Sequence, residues 1–329
     1  MSNKVNILSL FDGIAGAKQA LKELNIDCNY YASEIDKYAM QVAKANHPNI
    51  IHIGDVKEID NWNLVLNNLA GKTGNKINIT DLLIGGSPCQ DLSIAKKCRK
   101  GLEGDRSSLF YEYLRILNEV KPKYFILENV ASMSKASKQA ITKELFNIDP
   151  IMINSALLTA QNRKRLYWVG KLVDGKYQQV KIEQPEDKCI YLKNVTEKGT
   201  VYQEKSHSLT ASYNGAVFWN SIIKKQRTMI PVRLGHLNKG GQGDRVYSIQ
   251  GKSVCLSANG GGRGAKTGLY KIDLPDGEYA IRKLTPTECC KLQGFPDDYV
   301  SMVSNTQGYK ALGNSFTVPV LKHILKQIF

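Results

Sequence analysis

Short apolar segments that end in a glycine or a polar residue dominate the first 130 residues. They lie at 5–10 (VNILSL), 28–34, 81–86 (DLLIGG) and 123–128 (KYFILE), and they alternate with helix-like stretches at 16–24, 36–45 and 107–120. This alternation predicts a parallel α/β sheet with helices on both faces. Such sheets bind ligands at the carboxyl ends of their strands. The segments that begin at Phe11, Ser87 and Glu128 each follow a strand, so they are the candidate site.

The strand–helix alternation stops near residue 185 and helix-forming patterns return from Arg282. The glycine content rises between these points, most clearly at 235–243 (GHLNKGGQG) and 259–268 (NGGGRGAKTG). Glycine-rich stretches of this kind are typical of hairpin loops. We therefore expect a larger α/β domain, formed by residues 1–185 and completed by 281–329, and a smaller, β-rich domain at 186–280.

The charge balance narrows the possible partners. The 329 residues include 45 lysines and arginines against 30 acidic residues, a formal net charge of +15. A positive field of this size favours a polyanionic partner, although charge alone does not separate DNA, RNA and an acidic membrane surface, and a merely basic protein would carry the same excess.

The seven cysteines include no C-x-x-C pair, which argues against a disulfide framework and against a zinc site. The sequence begins with no basic region followed by a long apolar stretch, and it contains no apolar run of membrane-spanning length, so we expect neither a secretory leader nor a membrane helix. We expect a cytoplasmic protein with no bound metal and no membrane contact.

The first strand end has the features of a nucleoside site. The segment Phe11–Gly16 (FDGIAG) turns a strand into a helix, and its glycines allow a ligand to approach the backbone closely. It lacks the G-x-G-x-x-G spacing of dinucleotide sites, so a nicotinamide cofactor is disfavoured. Glu34, after the second strand, is placed to accept hydrogen bonds from ribose hydroxyls, and Asp55 follows a third apolar stretch. Each acidic residue alone is equally compatible with a solvated surface.

The later strand ends carry reactive groups. Cys89 follows the rigid Pro88 in the loop after the strand DLLI, where a nucleophile is more plausible than a buried structural thiol. Glu128 follows four apolar residues, and a carboxylate in such a place needs a partner. Alternation along Gln161–Arg165 (QNRKR) brings Gln161, Arg163 and Arg165 onto one face of an extended segment.

In this order, the segments resemble the characteristic motifs of the cytosine-5 DNA methyltransferase family. The matching pieces are F-D-G-I-A-G, the Glu34 and Asp55 positions, G-G-S-P-C-Q, E-N-V, Q-N-R-K-R, R-K-L-T-P-T-E and G-N-S, and they cover nearly the whole chain. The resemblance implies a Rossmann-like S-adenosylmethionine-dependent methyltransferase domain with a small target-recognition domain. It also implies an enzyme that methylates carbon 5 of a flipped cytosine in a short specific site of duplex DNA.

The resemblance assigns four catalytic residues. Cys89 would add to carbon 6 of the cytosine, Glu128 would hydrogen-bond or protonate ring nitrogen 3, and Arg165 would hold the cytosine carbonyl and support Glu128, with Arg163 nearby. The residues expected to line the S-adenosylmethionine pocket are Phe11, Ile14, Gly16, Glu34, Ile35, Asp55, Val56, Leu109 and Asn314. Many family members carry glycine where this chain has Ala15, and an alanine fits there without strain only if its φ is negative.

The resemblance also suggests DNA contacts. Residues 235–270 are similar to the target-recognition region of the HhaI-type enzymes, which implies that Gln242 fills the space left by the flipped base and that Arg245 reads a guanine in a GC-containing site. A phosphate contact is the alternative for Arg245. Asn259 stands where those enzymes carry an aromatic residue. Residues 90–107 would form a lid, with Lys97 and Arg99 along the phosphates or simply in a solvated loop.

Two alternatives to DNA methylation differ from it in substrate or in catalytic activity. Some members of the family methylate transfer RNA, and the long recognition region here, with HhaI-like loops, argues against that substrate. A non-catalytic DNA-binding relative would be expected to lack the cysteine or the glutamate.

The resemblance further predicts a monomer that acts beside a cognate restriction endonuclease or without one.

Overall fold

The computed structural model describes residues 4–58, 65, 80–87, 108–197, 203–217, 221, 224–233, 246–248, 269–274 and 277–329. These residues pack into two compact units. The first contains Met1–Ser155, Lys164–Glu186 and Ser315–Phe329, and the second contains Ala156–Arg163 and Asp187–Asn314. In this division residues 281–314 group with the second unit, whereas the sequence assigned them to the larger domain. The functional division into a domain of 1–185 with 281–329 and a domain of 186–280 therefore stays a prediction.

An eight-stranded sheet forms the centre of the first unit. Its strands are β1 (Val5–Leu10), β2 (Cys28–Ser33), β3 (Ile51–His52), β4 (Leu82–Gly85), β5 (Tyr124–Val130), β6 (Ile151–Asn154), β7 (Lys164–Val173) and β8 (Lys176–Gln179). The order is β3-β2-β1-β4-β5-β7-β6, with β8 also paired to β7. Strands β1 to β5 are parallel, and β7 runs antiparallel to each of its neighbours β5, β6 and β8. The predicted mostly parallel α/β fold is confirmed.

Helices of the first unit connect the parallel strands. They are α1 (Gly16–Glu23), α2 (Lys37–Asn46), α3 (Ser108–Val120) and α4 (Lys135–Glu144), with α8 (Val318–Leu325) near the end of the chain. Strand β4 is buried along its whole length, which explains its unbroken apolar sequence. Leu83, Phe125 and Trp168 of the sheet share one core cluster with Tyr113 of α3 and Ile141 of α4. This core holds the strand ends at fixed positions.

The second unit contains a four-stranded sheet of β9 (Met229–Arg233), β10 (Val246–Ser248), β11 (Leu269–Leu274) and β12 (Gly277–Lys283) in the order β10-β11-β12-β9. Strands β10 and β11 are parallel and the other pairs are antiparallel. Its helices are α5 (Leu192–Val195), α6 (Pro286–Gln293) and α7 (Asn305–Asn314). Helix α6 begins with a capping box, in which the side chain of Thr285 accepts from the amide of Glu288 and that of Glu288 accepts from the amide of Thr285.

Candidate active site

The carboxyl ends of β1, β2, β4 and β5 lie along one edge of the sheet because these strands are parallel and adjacent. Phe11, Glu34 and Gly86 directly follow β1, β2 and β4, whereas Glu128, which was expected to follow its strand, lies within β5, two residues before its end. The order of the strands therefore brings to one edge the segments that the sequence analysis singled out, although as many as 117 positions separate them in the chain (128 − 11).

The turn after β1 contains three left-handed residues, Phe11 (φ 55°), Gly13 (φ 61°) and Ala15 (φ 61°). The condition under which Ala15 would fit without strain is not met, because its φ is positive and its methyl group therefore crowds the backbone. Ala15 is fully buried and begins helix α1 as its N-cap residue. A Cβ added at Gly13 would meet nothing within 4 Å, so open space lies beside this turn.

The Glu34 carboxylate is held by backbone amides. Its Oε2 accepts from the amide of Gly13 (2.8 Å), and its Oε1 accepts from the amides of Ile35 and Asp36 (2.8 Å each). The turn after β1 is thereby tied to the end of β2. Ile35 beside it is 70% exposed, which leaves an apolar surface next to a fixed carboxylate. Such a pair suits a ligand with a flat apolar base and a hydroxylated sugar.

The remaining residues predicted for the pocket differ in their surroundings. Ile14 is completely buried. Val56 belongs to the core cluster, and Leu109 packs against that cluster. Asp55 is half-buried, and its Oδ1 accepts from the amide of Lys57 (3.0 Å). Gly16 is buried in the first turn of α1, and Asn314 is an exposed residue at the end of α7 in the second unit.

A carboxylate and a guanidinium form an ion pair at the end of β5. Arg165 Nε lies 2.8 Å from Glu128 Oε1, with side chains 17% and 14% exposed. Arg165 pairs with Val130 across β5 and β7, and Glu128 is two residues earlier on the same face of the sheet, so the pair is a diagonal one. Antiparallel pairing of β7 thus supplies the partner that the Glu128 carboxylate was expected to need.

The loop after β4 begins beside Glu128. A Cβ added at Gly86 would lie 3.2 Å from Glu128 Oε2 and 3.3 Å from the ring of Phe316. The buried hydroxyl of Ser87 accepts from the side-chain amide of Asn129 (3.2 Å). The first two residues of the loop are therefore fixed against the Glu-Asn segment. Cys89, two residues further on, lies outside the described residues.

Arg163 does not share the surroundings of Arg165. It belongs to the second unit and is 4% exposed, and its guanidinium donates to the carbonyl oxygens of Leu209 (2.9 Å) and Gly313 (3.2 Å). Gln161, which is fully buried, binds the amide of Leu209 (2.6 Å) and the carbonyl of Leu292 (3.1 Å). These two side chains hold main-chain groups together within their unit, and the catalytic assignment of Arg163 stays a prediction.

Several site predictions fall outside the described residues: Lys97, Arg99, Gln242, Arg245 and Asn259. The structure adds residues that the sequence analysis did not assign, namely Asp12, Ser87, Asn129 and Phe316. Asp12 and Asn129 stand within segments already singled out, but only the fold reveals their partners. Within the described ranges, no group of three or more His, Cys, Asp and Glu side chains could hold a metal ion. None of the helices in the described part of the chain has both the length and the hydropathy of a membrane span.

The sheet, the strained turn with its amide-bound acidic residue and the half-buried carboxylate–guanidinium pair define an α/β enzyme of the nucleoside-binding type. Solved structures with the same fold include the Entamoeba histolytica methyltransferase EhMeth (TM-score 0.61, 17% identity, covering 100% of this chain and 98% of that one) and the S. pombe Dnmt2 methyltransferase (TM-score 0.58, 18% identity, 99% and 98%). At these identities the likeness establishes the fold alone.

The sequence comparisons establish the family. The family model for C-5 cytosine-specific DNA methylase matches residues 5–329. The chain is 34% identical over 333 residues to the type II methyltransferase M.HhaI of Haemophilus parahaemolyticus, covering 98% of this chain and 94% of that protein. It is 29% identical over 350 residues to M.HpaII of Haemophilus parainfluenzae, covering 100% and 90%. The chain therefore belongs to the C-5 cytosine-specific DNA methylase family.

Family membership confirms the function expected from the motifs: the protein is an S-adenosylmethionine-dependent enzyme that methylates carbon 5 of cytosine in DNA. The first unit has features that fit the cofactor. Open space adjoins Gly13, the fixed Glu34 carboxylate can accept from hydroxyls, and Ile35 exposes an apolar side chain. One buried oxygen of Asp12 also has no hydrogen-bond partner among the described residues.

Proposed function

We propose that Cys89 is the nucleophile and that Glu128 and Arg165 form the group that activates the cytosine ring. The observation that carries this proposal is the 2.8 Å ion pair of Glu128 and Arg165 directly beside Gly86, three residues before Cys89. A nucleophile in this loop and an acid at the neighbouring strand end suit addition to a pyrimidine ring.

The residues of the chain would act in sequence. The Cys89 thiolate forms a bond to carbon 6, and Glu128 in its protonated form gives its proton to ring nitrogen 3, so that electron density moves to carbon 5. S-adenosylmethionine, when bound, would supply the electrophilic methyl group for carbon 5. A base then removes the proton from carbon 5, the electron pair of that bond expels the Cys89 thiolate, and ring nitrogen 3 returns its proton to Glu128. Arg165 holds the cytosine carbonyl and keeps Glu128 oriented, and Arg163 is a catalytic candidate through the family resemblance.

We propose that Glu34 accepts from the ribose hydroxyls of the cofactor and that Ile35 packs against its base. The backbone of Phe11 to Gly16 would border the methionine part, and Asp55 would accept from the adenine amine. Ile14, Val56 and Leu109 would support the pocket from the core, where their side chains pack. The assignment of Asn314 to the cofactor rests on the family resemblance.

The DNA contacts are proposals from the same resemblance. The target cytosine leaves the duplex, at a cost of a few kcal/mol, because carbon 5 and carbon 6 cannot be attacked within the stack. Gln242 fills the vacated space, Arg245 and Asn259 contribute to reading a short GC-containing site, and Lys97 and Arg99 follow the phosphates. We assign these tasks to a catalytic domain of 1–185 with 281–329 and a recognition domain of 186–280.

We further propose that the protein is a cytoplasmic monomer. It would protect DNA from a cognate restriction endonuclease that acts independently, or it would methylate without one. The first alternative predicts a nuclease gene whose product cleaves the same site only when that site is unmethylated.

A mechanistic trap tests the nucleophile. Duplex DNA with 5-fluorocytosine at the target position should form a covalent complex with the parent protein, because fluorine on carbon 5 cannot leave as a proton does. The Cys89→Ser variant should form no such complex and should not methylate, yet should still bind the duplex. A trapped complex with Cys89→Ser, or undiminished methylation, would refute the assignment.

Bisulfite sequencing of DNA from cells that express the parent chain provides the target for this duplex. Methyl transfer to transfer RNA, measured in parallel, is expected to be absent. With the target known, Arg245→Ala should lose about 1–3 kcal/mol of discrimination at one guanine. An equal loss of affinity on all sequences would instead make Arg245 a phosphate contact.

A further inference from the structure

Asp12 places a buried carboxyl group inside the turn that follows β1. Its side chain is 2% exposed, and its Oδ1 accepts from the hydroxyls of Ser9 on β1 and Tyr30 on β2, each at 2.6 Å. Its Oδ2 is buried and has no hydrogen-bond partner in the described part of the chain. A buried carboxylate oxygen without a partner is costly, so this oxygen calls for an explanation.

The same residue fixes the conformation of the turn. Its amide donates to the carbonyl of Ser33 (3.1 Å), and its carbonyl accepts from the amide of Ala15 (3.2 Å). The next amide, that of Gly13, holds the carboxylate of Glu34. Through these contacts Asp12 connects both strands to the group that we assign to the ribose. Displacement of Asp12 would therefore disturb the turn that carries the Gly13 amide.

The surroundings of Asp12 shift the pKa of its carboxyl group in both directions. Burial raises its pKa to about 7, the hydrogen bonds from Ser9 and Tyr30 act in the opposite direction, and the charge of Glu34 adds to the increase. The groups that face it are Ser9 from β1, Tyr30 from β2 and Glu34 after β2. Lys18 of α1 lies 5.7 Å from the centre of the Tyr30 ring. A cation in the adjacent site would favour the ionised carboxylate.

We propose that Asp12 is a positioning residue that senses the charge of the bound cofactor. It releases its proton to solvent when the sulfonium cation S-adenosylmethionine binds, and it takes a proton up when the product S-adenosylhomocysteine, whose sulfur is neutral, replaces it. The ionised carboxylate then supports the turn in the form that binds the methyl donor, and protonation favours exchange of the product. This inference rests on the proposed cofactor site.

Proton release on binding tests the proposal without any methyl transfer. Calorimetric titration of S-adenosylmethionine into the full chain, in buffers of different ionisation enthalpy at pH 6.5, counts the protons released. We expect the parent to release roughly half a proton more than Asp12→Asn. The cofactor's own amino group titrates equally in both experiments, so the difference belongs to Asp12. The dissociation constant of the parent should fall about fivefold more than that of the variant between pH 6 and pH 8.

Two further variants make the test specific. Asp27→Asn removes the same charge from a residue that pairs with Lys4 at 3.2 Å and is 63% exposed, and it should release protons as the parent does. Tyr30→Phe removes one donor that stabilises the ionised carboxylate, so its proton release should be smaller than that of the parent. With S-adenosylhomocysteine, parent and Asp12→Asn should differ little.

Equal proton release by the parent and Asp12→Asn would overturn the proposal. If Asp12→Asn does not fold, Tyr30→Phe decides: release equal to that of the parent overturns the proposal, and reduced release supports it. A parent that binds S-adenosylmethionine without this proton release refutes the role of Asp12 alone. A parent that does not bind the cofactor at all refutes the proposed cofactor site as well.

Discussion

Replacing Ala15 by glycine has two opposing effects on stability: it relieves the left-handed conformation of the alanine, and it removes a buried methyl group. Ala15 has φ 61° and ψ 41° and is fully buried. Relief of the left-handed conformation should stabilise the folded state by about 1–2 kcal/mol. Removal of a buried methyl group costs about 0.8 kcal/mol, and the greater freedom of the unfolded glycine chain costs about 0.4–1 kcal/mol more. The terms nearly cancel, so Ala15→Gly should change the free energy of unfolding by less than about 1 kcal/mol.

Ala20 provides the matched control. It lies in α1 and is also fully buried, but a helical alanine has no conformational cost to relieve. Ala20→Gly loses the same methyl group and about 1 kcal/mol of helix propensity, so it should destabilise the protein by about 2 kcal/mol.

Urea unfolding of the three proteins, followed by circular dichroism, measures the difference. Equal slopes would allow the transition midpoints to be compared directly. We expect the midpoint of Ala15→Gly to stay near that of the parent while that of Ala20→Gly falls clearly. If Ala15→Gly is destabilised as much as Ala20→Gly, the left-handed residue at this turn carries no strain and the reasoning is wrong.

Three other predictions concern the strand ends. Arg165→Ala should lower kcat by about 10²–10³-fold while the affinity for DNA changes little, because it removes the partner of Glu128; single-turnover methylation measures the loss. Gly86→Ala should lower kcat with a small change in Tm, because the added methyl group would lie 3.2 Å from Glu128 Oε2 and would displace that carboxylate. An unchanged kcat would show that the carboxylate adjusts to the methyl group without loss of function. The folded pKa of Asp12 is raised from 3.8 to about 7, so the stability of the parent should fall as the pH rises through this window. Urea unfolding at pH 5 and pH 8 should show a smaller decrease for Asp12→Asn than for the parent.

Local sequence signals were sufficient to predict four strands and three helices of the first 130 residues and their succession along the chain. Apolar runs with glycine stops predicted β1, β2, β4 and β5 to within two or three residues, because strand periodicity and turn chemistry are properties of neighbouring positions. Parallel pairing then required Phe11, Glu34 and Glu128 to share an edge. The ordered motifs were also sufficient to identify the family and its reaction, which the comparisons confirm.

The partners of individual side chains were decided by the tertiary structure. Glu128 meets Arg165 because β7 pairs antiparallel with β5 in one particular register, and Asp12 meets Tyr30 because β2 lies beside β1. Two arginines only two positions apart take different roles, since Arg163 donates to distant main-chain carbonyls while Arg165 reaches a carboxylate. The left-handed Ala15 was likewise hidden, because its backbone angle is imposed by the turn and by burial. Periodicity specifies which face a residue occupies, but strand register and packing between distant segments determine what that residue touches.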